Sequence, residues 1–373
     1  MRKQKSKLIF YSPFFPPAFK AGGPIQSLNN LALLIENDCD VKVICSNEDL
    51  GREKILVQSN QWSNYSTKIK VWYSGKVGFM SWLKFLKQQQ NEIFYINGVY
   101  SVKFNLLPLL ISNQKIWAPR GMLDEGSLSQ KKLKKKVFIN CLKLLRVHKN
   151  CVFHATSIEE EKSIKKVFGN ESTIKVISNI PKILELQNIS PKEMNSLKLV
   201  TIALISPMKN ILQVVRSLKQ IPENIEYNIY GPIKDEYYWA ICLQEMQNLA
   251  SNIKIYYHGD IRPNEVSEKL KEAHAYIQPS KSENFGHSLF EALSLGRPII
   301  TSHTTPWKNL QENHAGLNIN PENTQELSDS ISFFAKMTHE KLSYWSNMAH
   351  QYATKKNDVS KLKQQYLELF EMN

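Results

Sequence analysis

The sequence alternates short apolar runs with longer stretches of helical spacing, and this alternation constrains the fold more than any other feature. The first unit begins with KLIFY, continues through the Pro/Gly-rich segment SPFFPPAFKAGGP and the helical segment PIQSLNNLALLIEN, and ends in VKVIC. Apolar residues recur every three or four positions in the helical segment, and Pro24 suits a first helical turn. A β-loop-α-β order of this kind is typical of parallel sheets covered by helices.

The same alternation continues along the rest of the chain. Strands are predicted at EIFYI, KIWA, CVFHA and TIKVI, with helices near 79–89, 102–112, 128–147 and 157–168. The stretch NIPKILELQNISPKEMNS has two prolines and no clean period, which predicts a linker. A second series follows, with strands at KLVTIALI, YNIYG, KIYYHG, AYIQPS, PIITS and GLNI and helices near 209–219, 235–249, 263–272, 287–295, 305–312 and 323–337.

Two alternating series in 373 residues predict an α/β protein with two Rossmann-like parallel-sheet domains that face each other across a cleft. We place the N-terminal domain at 1–190, the C-terminal domain at 191–350, and a C-terminal helix at 351–373 that packs back on the N-terminal domain. Ligands of such folds bind at the carboxyl ends of the strands. The loops that follow the strands are therefore expected to hold the site.

Composition indicates the cellular context. The five cysteines are odd in number and include no C-x-x-C pair, which favours free thiols in a reducing compartment over disulfides or a zinc site. Prolines interrupt the apolar N-terminal segment, so it does not resemble a signal peptide, and no apolar run is long enough to span a bilayer. We expect a cytoplasmic protein. Its net charge of +14 favours an anionic partner, although a merely soluble basic protein has the same composition.

The stretch SENFGHSLFEALSLGRP, residues 282–298, is the strongest candidate for chemistry. A strand ends in front of it, Gly286 permits a close approach of backbone to ligand, and a helix is predicted from His287 to near Gly296. Most positions of this helix are apolar, so the helix is predicted to be buried. It nevertheless contains Glu291, and a buried carboxylate needs partners.

Two acids beside a helix start suggest a nucleotide-sugar pocket. Glu283 lies eight positions before Glu291. Sugar hydroxyls can satisfy both carboxylates, and the N–H groups of His287, Ser288 and Leu289 can receive phosphate oxygens at the helix start. The alternative from the residues alone is an internal ion pair with an Arg or Lys. The strand–loop–helix setting favours the pocket.

The segment SENFGHSLFEALSLGRPIITSHTTPWKNL resembles the retaining glycosyltransferases of family 4, which have the GT-B fold and an E-x7-E motif. The likeness extends to FYSPFFPPAFKAGGPIQSLNNLA, WAPRGMLDEGSL, FHATSIEEEKSI, VISNIP and ISPMKN, and so covers most of the chain. It implies transfer of a hexose from a nucleotide-diphosphate sugar to a saccharide or polyprenyl-linked acceptor, in bacterial cell-surface polysaccharide or lipopolysaccharide biosynthesis. The first domain would be the acceptor side and the second the donor side.

The resemblance also implies roles for individual residues. Glu283 would hold hydroxyls of the donor sugar near the reacting carbon as the catalytic residue, Glu291 would bind the ribose, and Lys209 would neutralise the diphosphate. The remaining donor-binding residues would be Gly22, Gly23, Asn284, Phe285, Gly286, His287, Ser288 and Leu289. An ammonium and helix-start N–H groups stabilise the charge of a departing diphosphate, so that no metal ion and no cofactor is required.

Two positions depart from the family pattern. Ala203 and Leu204 stand where the family has Gly-Arg, so that one cation at the diphosphate is missing. Asn97 stands where many members have a His, and no histidine role carries over to it. We group Asn97 on the acceptor side with Arg120 and with His154, which is either a cleft residue or a satisfied core histidine.

Metal chemistry finds little support in the sequence. Asp38-Cys39-Asp40 spells the D-x-D metal signature of a different glycosyltransferase fold. It lies where a predicted helix ends and VKVIC begins, so a turn is the better interpretation. The nine histidines show no ligand spacing, which argues against a zinc centre.

A basic run extends from Lys131 to Lys149, KKLKKKVFINCLKLLRVHK, and contains no acid. At helical spacing, Leu133, Val137, Cys141 and Leu144 share one face and lysines occupy the others, which is typical of a basic amphipathic surface helix. We expect this helix to bring the protein to an anionic membrane surface, on the inner face of the cell membrane. A solvated helix face is the alternative.

The sequence therefore predicts a retaining, metal-independent glycosyltransferase that uses a nucleotide sugar. One alternative is an epimerase or hydrolase of nucleotide sugars on the same fold, which would need an acid and a base dedicated to the donor. The other is a non-enzymatic basic protein that binds nucleic acid. The basic run contains only Phe138 as an aromatic residue, whereas nucleic-acid surfaces interleave aromatic and basic side chains, so no nucleic acid is expected.

Overall fold

A computed structural model describes residues 5–129, 132–356 and 358–371. Two compact units divide the chain: Met1–Ile180 together with Val359–Asn373, and Pro181–Asp358. Each unit contains a mainly parallel sheet with helices, which confirms the predicted α/β class with two parallel-sheet domains. Lys131, the first residue of the predicted basic helix, lies outside the described residues.

The first unit is built on an eight-stranded sheet. Its strands are β1 (Lys7–Tyr11), β2 (Asp40–Ser46), β3 (Trp62–Asn64), β4 (Lys70–Ser74), β5 (Ile93–Asn97), β6 (Gln114–Ala118), β7 (Val152–Ala155) and β8 (Ile174–Val176). They lie in the order β3-β4-β2-β1-β5-β6-β7-β8, and all pairs are parallel except β3 with β4. The sequence pattern did not anticipate the short antiparallel strand β3.

Helices of the first unit follow its strands. They are α1 (Gly23–Ile35), α2 (Phe79–Lys87), α3 (Leu107–Ile111), α4 (Glu125–Ser129), α5 (Lys132–Leu144), α6 (Ile158–Phe168) and the C-terminal α13 (Val359–Glu371). Apolar side chains of α1 and α13 join one core cluster with β1, where the ring of Phe370 lies 6.2 Å from that of Phe10. Burial of these side chains stabilises the sheet by about 25 cal/mol per Å² of apolar area.

The second unit has six strands, all parallel. They are β9 (Ser196–Ile202), β10 (Asn224–Tyr230), β11 (Ile253–Tyr257), β12 (Ala275–Gln278), β13 (Ile299–Ser302) and β14 (Gly316–Ile319), and they lie in the order β11-β10-β9-β12-β13-β14. The helices are α7 (Ile211–Leu218), α8 (Glu236–Met246), α9 (Val266–Glu272), α10 (His287–Ser294), α11 (Thr324–Ala335) and α12 (His339–Lys356). The strand order reverses between β9 and β12, and this is the switch point at which such sheets bind ligands.

The helix predicted at 305–312 is wrong, because these residues, all of them described, form turns and irregular backbone. Asn318 on β14 replaces the missing helical partners. Its side chain donates to the Trp307 carbonyl at 2.7 Å and accepts from the Leu310 N–H at 3.2 Å. Asn309 adopts a positive φ of 56°, which no helix continues through.

The segment predicted as a helix at 102–112 is helical but not regular. It opens with a π-helical turn, Val102–Leu106, and continues as α3. Asn105 causes the wider turn, because its side chain donates to the Asn97 carbonyl at 2.7 Å and accepts from the Ser101 N–H at 3.0 Å. Pro108 in the first turn of α3 supplies no N–H to the α-helical ladder.

The predicted linker has neither helix nor strand before Ser196, where β9 begins, and Arg297 holds its middle in place. The guanidinium is fully buried and donates to the carbonyls of Asn188 (2.9 Å), Gln187 (3.2 Å) and Leu270 (3.0 Å). Burial lowers the pKa of Arg297 to about 10. Its donors are matched by carbonyl oxygens, which is how a buried cation avoids the larger cost of unpaired N–H groups.

Among the described residues, no helix combines the length and the apolarity that crossing a membrane requires.

Acid should destabilise the second unit through His274, which is 1% exposed. Its Nδ1 accepts from the Lys198 N–H at 2.9 Å and its Nε2 donates to the Pro191 carbonyl at 3.3 Å, so the ring is neutral. Burial lowers the pKa of His274 to about 4, below the ordinary value of about 6.5. Between these two pKa values the unfolded chain therefore binds more protons than the folded protein. The contribution of the neutral His274 ring to the free energy of unfolding is complete above about pH 6.5 and falls toward pH 4.

We expect His274→Asn to reduce the loss of unfolding free energy between pH 7 and pH 5 by about 2 kcal/mol. Asn keeps one acceptor and one donor but does not titrate. Urea unfolding at several pH values measures the effect, and His303→Asn, at an exposed histidine, is the matched control. Equal pH slopes for the two variants would show that His274 does not take up a proton on unfolding.

Candidate active site

The loops that follow β9 and β12 meet at the switch point of the second sheet. The Lys281 N–H, after β12, donates to the Met208 carbonyl, after β9, at 2.9 Å. The β9 loop ends in a 3-10 turn, Pro207–Lys209, and Asn210 then starts α7 in a left-handed conformation (φ 61°). The side chain of Asn210 donates to the Pro321 carbonyl at 2.7 Å, which fixes the turn and the position of Lys209.

Lys209 and Glu283 form an ion pair between these two loops. The Lys209 ammonium donates to Oε1 of Glu283, and the two side chains are 22% and 11% exposed. The same oxygen accepts from Nε2 of Gln278 at 2.8 Å and from Oγ of Ser280 at 2.7 Å. Within the described part of the chain, Oε2 of Glu283 has no protein donor, and two of the three ammonium hydrogens of Lys209 have no acceptor.

A buried hydrogen-bond network lies next to the Lys209–Glu283 pair and is joined to it through Gln278. Oε1 of Gln278 accepts from the Tyr276 hydroxyl at 2.6 Å, and the Tyr276 and Ser288 hydroxyls lie 2.9 Å apart. Burial raises the pKa of Tyr276, and the charges of Glu283 and Glu291 raise it further. The hydroxyl therefore stays protonated, and both acids of the motif lie close enough to Tyr276 to affect it.

The start of α10 adjoins the Glu283 loop. Gly286 is its N-terminal cap, with φ 76°, and no side chain caps the helix. A Cβ at Gly286 would lie 2.8 Å from Cδ1 of Leu289, so the contact and the positive φ both favour glycine at this position. The ladder begins with the Phe290 N–H on the Gly286 carbonyl, which leaves the earlier N–H groups of the helix directed beyond its start.

Phe285 lies in the core, and only its backbone borders the loop. Its ring packs against those of His287 (4.8 Å), Phe290 (5.9 Å) and Trp307 (5.4 Å). The Trp307 indole donates to the Phe285 carbonyl at 2.7 Å. The ring therefore anchors the loop in which Asn284 lies, and the contact expected of Phe285 can come only from its main chain.

The prediction that α10 is a buried helix is confirmed. Its residues His287 and Leu289–Ser294 are all buried, Glu291 at 4% exposure. Gly296 ends it with φ 85°, as expected of a left-handed cap. Glu291 has an interaction partner, as a carboxylate at this depth requires.

Ala203 and Leu204, where the family pattern has Gly-Arg, lie at the end of β9. The Ala203 N–H donates to the Tyr230 carbonyl at 3.0 Å, and a Cβ at Gly231 would lie 2.0 Å from the Ala203 carbonyl oxygen. The β9 and β10 ends are thus packed backbone to backbone. Lys281, in the loop after β12, is another cation near this site. Its ammonium is paired with Glu322 at 2.8 Å.

Gly22 and Gly23 lie in the first unit, at the start of α1. Gly22 caps the helix with φ 67°, and nothing lies within 4 Å of where its Cβ would be. The preceding loop is fixed by Asp49, which is 4% exposed and accepts from the N–H groups of Phe19 (2.8 Å) and Lys20 (3.1 Å). Sequence reasoning missed Asp49, because only the folded loop brings these N–H groups together.

Asn97, Arg120 and His154 converge in one network of the first unit. Arg120 donates to Oδ1 of Asn97 at 3.0 Å and to the Tyr95 hydroxyl at 2.7 Å. The Tyr95 hydroxyl lies 2.7 Å from Nδ1 of His154, and Nε2 of His154 lies 2.8 Å from the Ile177 carbonyl. Since a carbonyl can only accept, Nε2 carries the proton and Tyr95 donates to Nδ1.

His154 is therefore placed as a satisfied core histidine would be. It is fully buried, and burial followed by the charge of Arg120 lowers its pKa to about 3. The ring is neutral at physiological pH and has both nitrogens engaged. Arg120 is only partly buried, whereas Asn97, Tyr95 and His154 are buried.

No group of three or more His, Cys, Asp or Glu side chains in the described residues is arranged to hold a metal ion. Asp38 of the D-x-D sequence pairs with Lys363 at 2.8 Å, and Asp40 begins β2. The sequence Asp38-Cys39-Asp40 thus forms the junction between α1 and β2 that the turn interpretation expects.

Three residues of the pair's surroundings were not singled out from the sequence: Tyr276, Gln278 and Ser280. All come from AYIQPS, and Gln278 and Ser280 are fully buried polar residues at a strand end. The signal available was a Gln at the last position of a strand otherwise apolar, directly before the motif. Lys209 and Glu283 were both predicted, but 74 residues separate them and only the sheet brings them together.

Residues 182–352, within the second unit, match the family model described as glycosyl transferases group 1. Sucrose synthase 6 of Oryza sativa subsp. japonica is 37% identical over 76 residues, which are 20% of this chain. The match spans only 9% of the length of sucrose synthase 6.

Solved structures resemble the whole chain. Sucrose-phosphate synthase from Thermosynechococcus elongatus superposes with a TM-score of 0.74 at 14% identity, covering 98% of both chains. HepE of Anabaena in complex with UDP-glucose gives 0.72 at 17% identity, covering 98% of this chain and 100% of that one. WaaG, a glycosyltransferase involved in lipopolysaccharide biosynthesis, gives 0.70 at 13%, covering 99% and 100%. The chain therefore has the GT-B fold that these structures share, and residues 182–352 of its second unit match the group 1 family model.

Substitution of Gly286 should disturb the site loop more than its backbone conformation alone explains. We expect Gly286→Ala to lower the free energy of unfolding by about 1–3 kcal/mol, because φ 76° disfavours a side chain and the new Cβ meets Leu289. Gly259 has the same φ of 76° with nothing within 4 Å of a Cβ, so Gly259→Ala is the matched control. Urea unfolding compares the two. Equal losses would show that the contact with Leu289 relaxes without cost.

Proposed function

We propose that this protein is a retaining glycosyltransferase. It moves a sugar from a nucleotide-diphosphate donor to a saccharide or lipid-linked saccharide, in the assembly of a cell-surface polysaccharide. The observation that carries the proposal is the Lys209–Glu283 pair beside the start of α10, at the switch point of the second sheet. Similar proteins support the donor class, since HepE structures hold UDP, glucose and UDP-glucose.

The donor sugar and the nucleotide contact different acids in this proposal. Oε1 of Glu283 is held by three donors, so Oε2 accepts a sugar hydroxyl near the reacting carbon. Glu291, one to two turns into α10, accepts the ribose hydroxyls. The fixed position of Glu283 matters because a carboxylate that needs no reorganisation stabilises developing positive charge on the sugar more strongly.

The departing diphosphate is stabilised by Lys209 and by the first N–H groups of α10. Lys209 has two ammonium hydrogens to offer while it remains paired with Glu283. The helix start adds the positive end of its dipole. Because Leu204 stands where the family has an Arg, Lys209 carries more of this stabilisation here, and no metal ion takes part.

We assign no protein base. In a retaining transfer of this kind the C–O bond to the leaving phosphate breaks, the acceptor hydroxyl attacks the same face of the sugar, and its proton passes to the phosphate oxygen. His154 does not serve as that base, because both of its ring nitrogens are engaged in the core. Arg120 is proposed to contact the acceptor, together with the amide of Asn97.

The donor class can be tested directly with the purified protein. We expect one nucleoside diphosphate, among UDP, GDP, ADP and TDP, to raise the melting temperature, and its sugar conjugate to be consumed only when a saccharide acceptor is added. Proton NMR of the product should show the anomeric configuration of the donor, and EDTA should leave the rate unchanged. An inverted anomer would contradict the retaining mechanism, and turnover without acceptor would favour a hydrolase.

The two acids should fail in different ways. We expect Glu283→Gln to lower kcat by about 100-fold or more with a smaller change in donor KM, because it removes charge at the transition state. Glu291→Gln should mainly weaken nucleotide binding, by about tenfold, because it removes a charged acceptor for ribose hydroxyls. Steady-state kinetics and calorimetric titration of the nucleoside diphosphate separate the effects. Glu272→Gln, at an exposed surface pair of the same unit, is the control, and unchanged turnover in Glu283→Gln would remove that residue from catalysis.

A further inference from the structure

Helix α5 has two apolar faces, and only one of them is used by the core. Ile139 and Leu142 point inward and are 7% and 0% exposed. Leu133, Val137 and Leu144 are 80%, 70% and 83% exposed. Large apolar side chains at such exposure are ordinary when they are scattered, but here they lie on one short helix.

The exposed residues form one stripe. With 3.6 residues per turn, Leu133, Val137, Cys141 and Leu144 stack along the side of α5 that lies opposite Ile139 and Leu142. Cys141 is exposed as well. We call these four residues the outer stripe. The sequence pattern placed the same four residues on one face of a basic surface helix.

Lysines border the outer stripe. Lys132, Lys136 and Lys143 lie along one side and Lys134 along the other, and all four are exposed. Between Glu125 and Glu159 the chain has eight Lys or Arg residues and no Asp or Glu. A partner that fits this surface must therefore be apolar at its centre and anionic around it.

An anionic lipid surface meets both conditions. A second copy of the chain would place lysines against lysines, and nucleic acid would leave the outer stripe in water. We propose that α5 docks in the plane of an anionic bilayer, with the outer stripe between headgroups and acyl chains and the lysines on lipid phosphates. This inference does not depend on the proposed sugar transfer.

The charge component is tested by co-sedimentation of the full chain with vesicles of phosphatidylcholine alone or with one-third phosphatidylglycerol. We expect binding to the anionic vesicles only, weaker at high salt. The triple variant Lys132→Gln, Lys136→Gln and Lys143→Gln should lower the partition coefficient by about 100-fold. The control removes the same charge from another exposed part of the first unit, by Lys54→Gln, Lys70→Gln and Lys76→Gln. Equal recovery with both vesicle types, or equal losses in the two variants, would overturn the proposal.

The apolar component is tested through Cys141. Cys39, Cys45, Cys151 and Cys242 are buried, so a polarity-sensitive thiol fluorophore labels Cys141 selectively. Its emission should shift to the blue on anionic vesicles and remain unchanged with free inorganic phosphate.

Replacement of the stripe gives the matched comparison. Leu133→Ser with Val137→Ser should abolish the blue shift, whereas Leu56→Ser, at a fully exposed leucine elsewhere in the first unit, should not. Both variants should retain wild-type unfolding midpoints, because neither changes a buried side chain. A blue shift that appears without vesicles as protein concentration rises would indicate self-association through the stripe and would contradict docking on lipid.

Discussion

The reversal of strand order between β9 and β12 is the constraint on which the second unit depends. β9 pairs in parallel with β10 on one side and with β12 on the other. The connection after β9 therefore leads to one side of this strand, and the chain later returns to its other side as β12. The loops at the carboxyl ends of these two strands then lie next to each other without crossing. Lys209 and Glu283 meet there, and a pair of this burial would be expensive in free energy if it served stability alone.

The helix that follows this loop is fixed at both ends by close contacts. At its start Gly286 lies against Leu289, and at its end a Cβ on Gly296 would come within 2.6 Å of Cδ1 of Leu186 and 2.7 Å of Oγ of Ser346. The Leu184 N–H donates to Oγ of Ser294 at 2.7 Å. These contacts pack α10, and with it Glu291, closely against its neighbours.

The first unit treats buried charge differently. Arg120 is surrounded by neutral oxygens from Asn97, Tyr95 and Asn179 and has no carboxylate in direct contact among the described ion pairs. Glu160 holds the adjacent backbone by accepting from the Gly121 N–H at 2.6 Å and from the Thr156 N–H at 2.7 Å. The guanidinium is thus bonded to neutral groups, and no direct ion pair among the described residues neutralises its charge.

The local sequence determined most of the helices and strands, and it identified the two acids of the site. Alternating apolar runs give parallel strands because buried strands need apolar residues on both faces, and Gly286 and Gly296 mark the ends of α10 because their backbones require positive φ. The acids of the motif could be named from spacing and composition. The family resemblance added Lys209, which no local pattern identifies.

Tertiary structure decided what depends on contacts between distant residues. Asn318 prevents a helix at 305–312 by supplying hydrogen bonds from another strand, and Asn105 widens the turn after β5 by bonding to Asn97. Periodicity singled out the face of α5 that carries Leu133, Val137, Cys141 and Leu144, whereas packing places Ile139 and Leu142 in the core. The partner of Glu283 and the burial of His154 likewise follow from which strands are neighbours, and strand order is a property of the whole sheet that no single segment specifies.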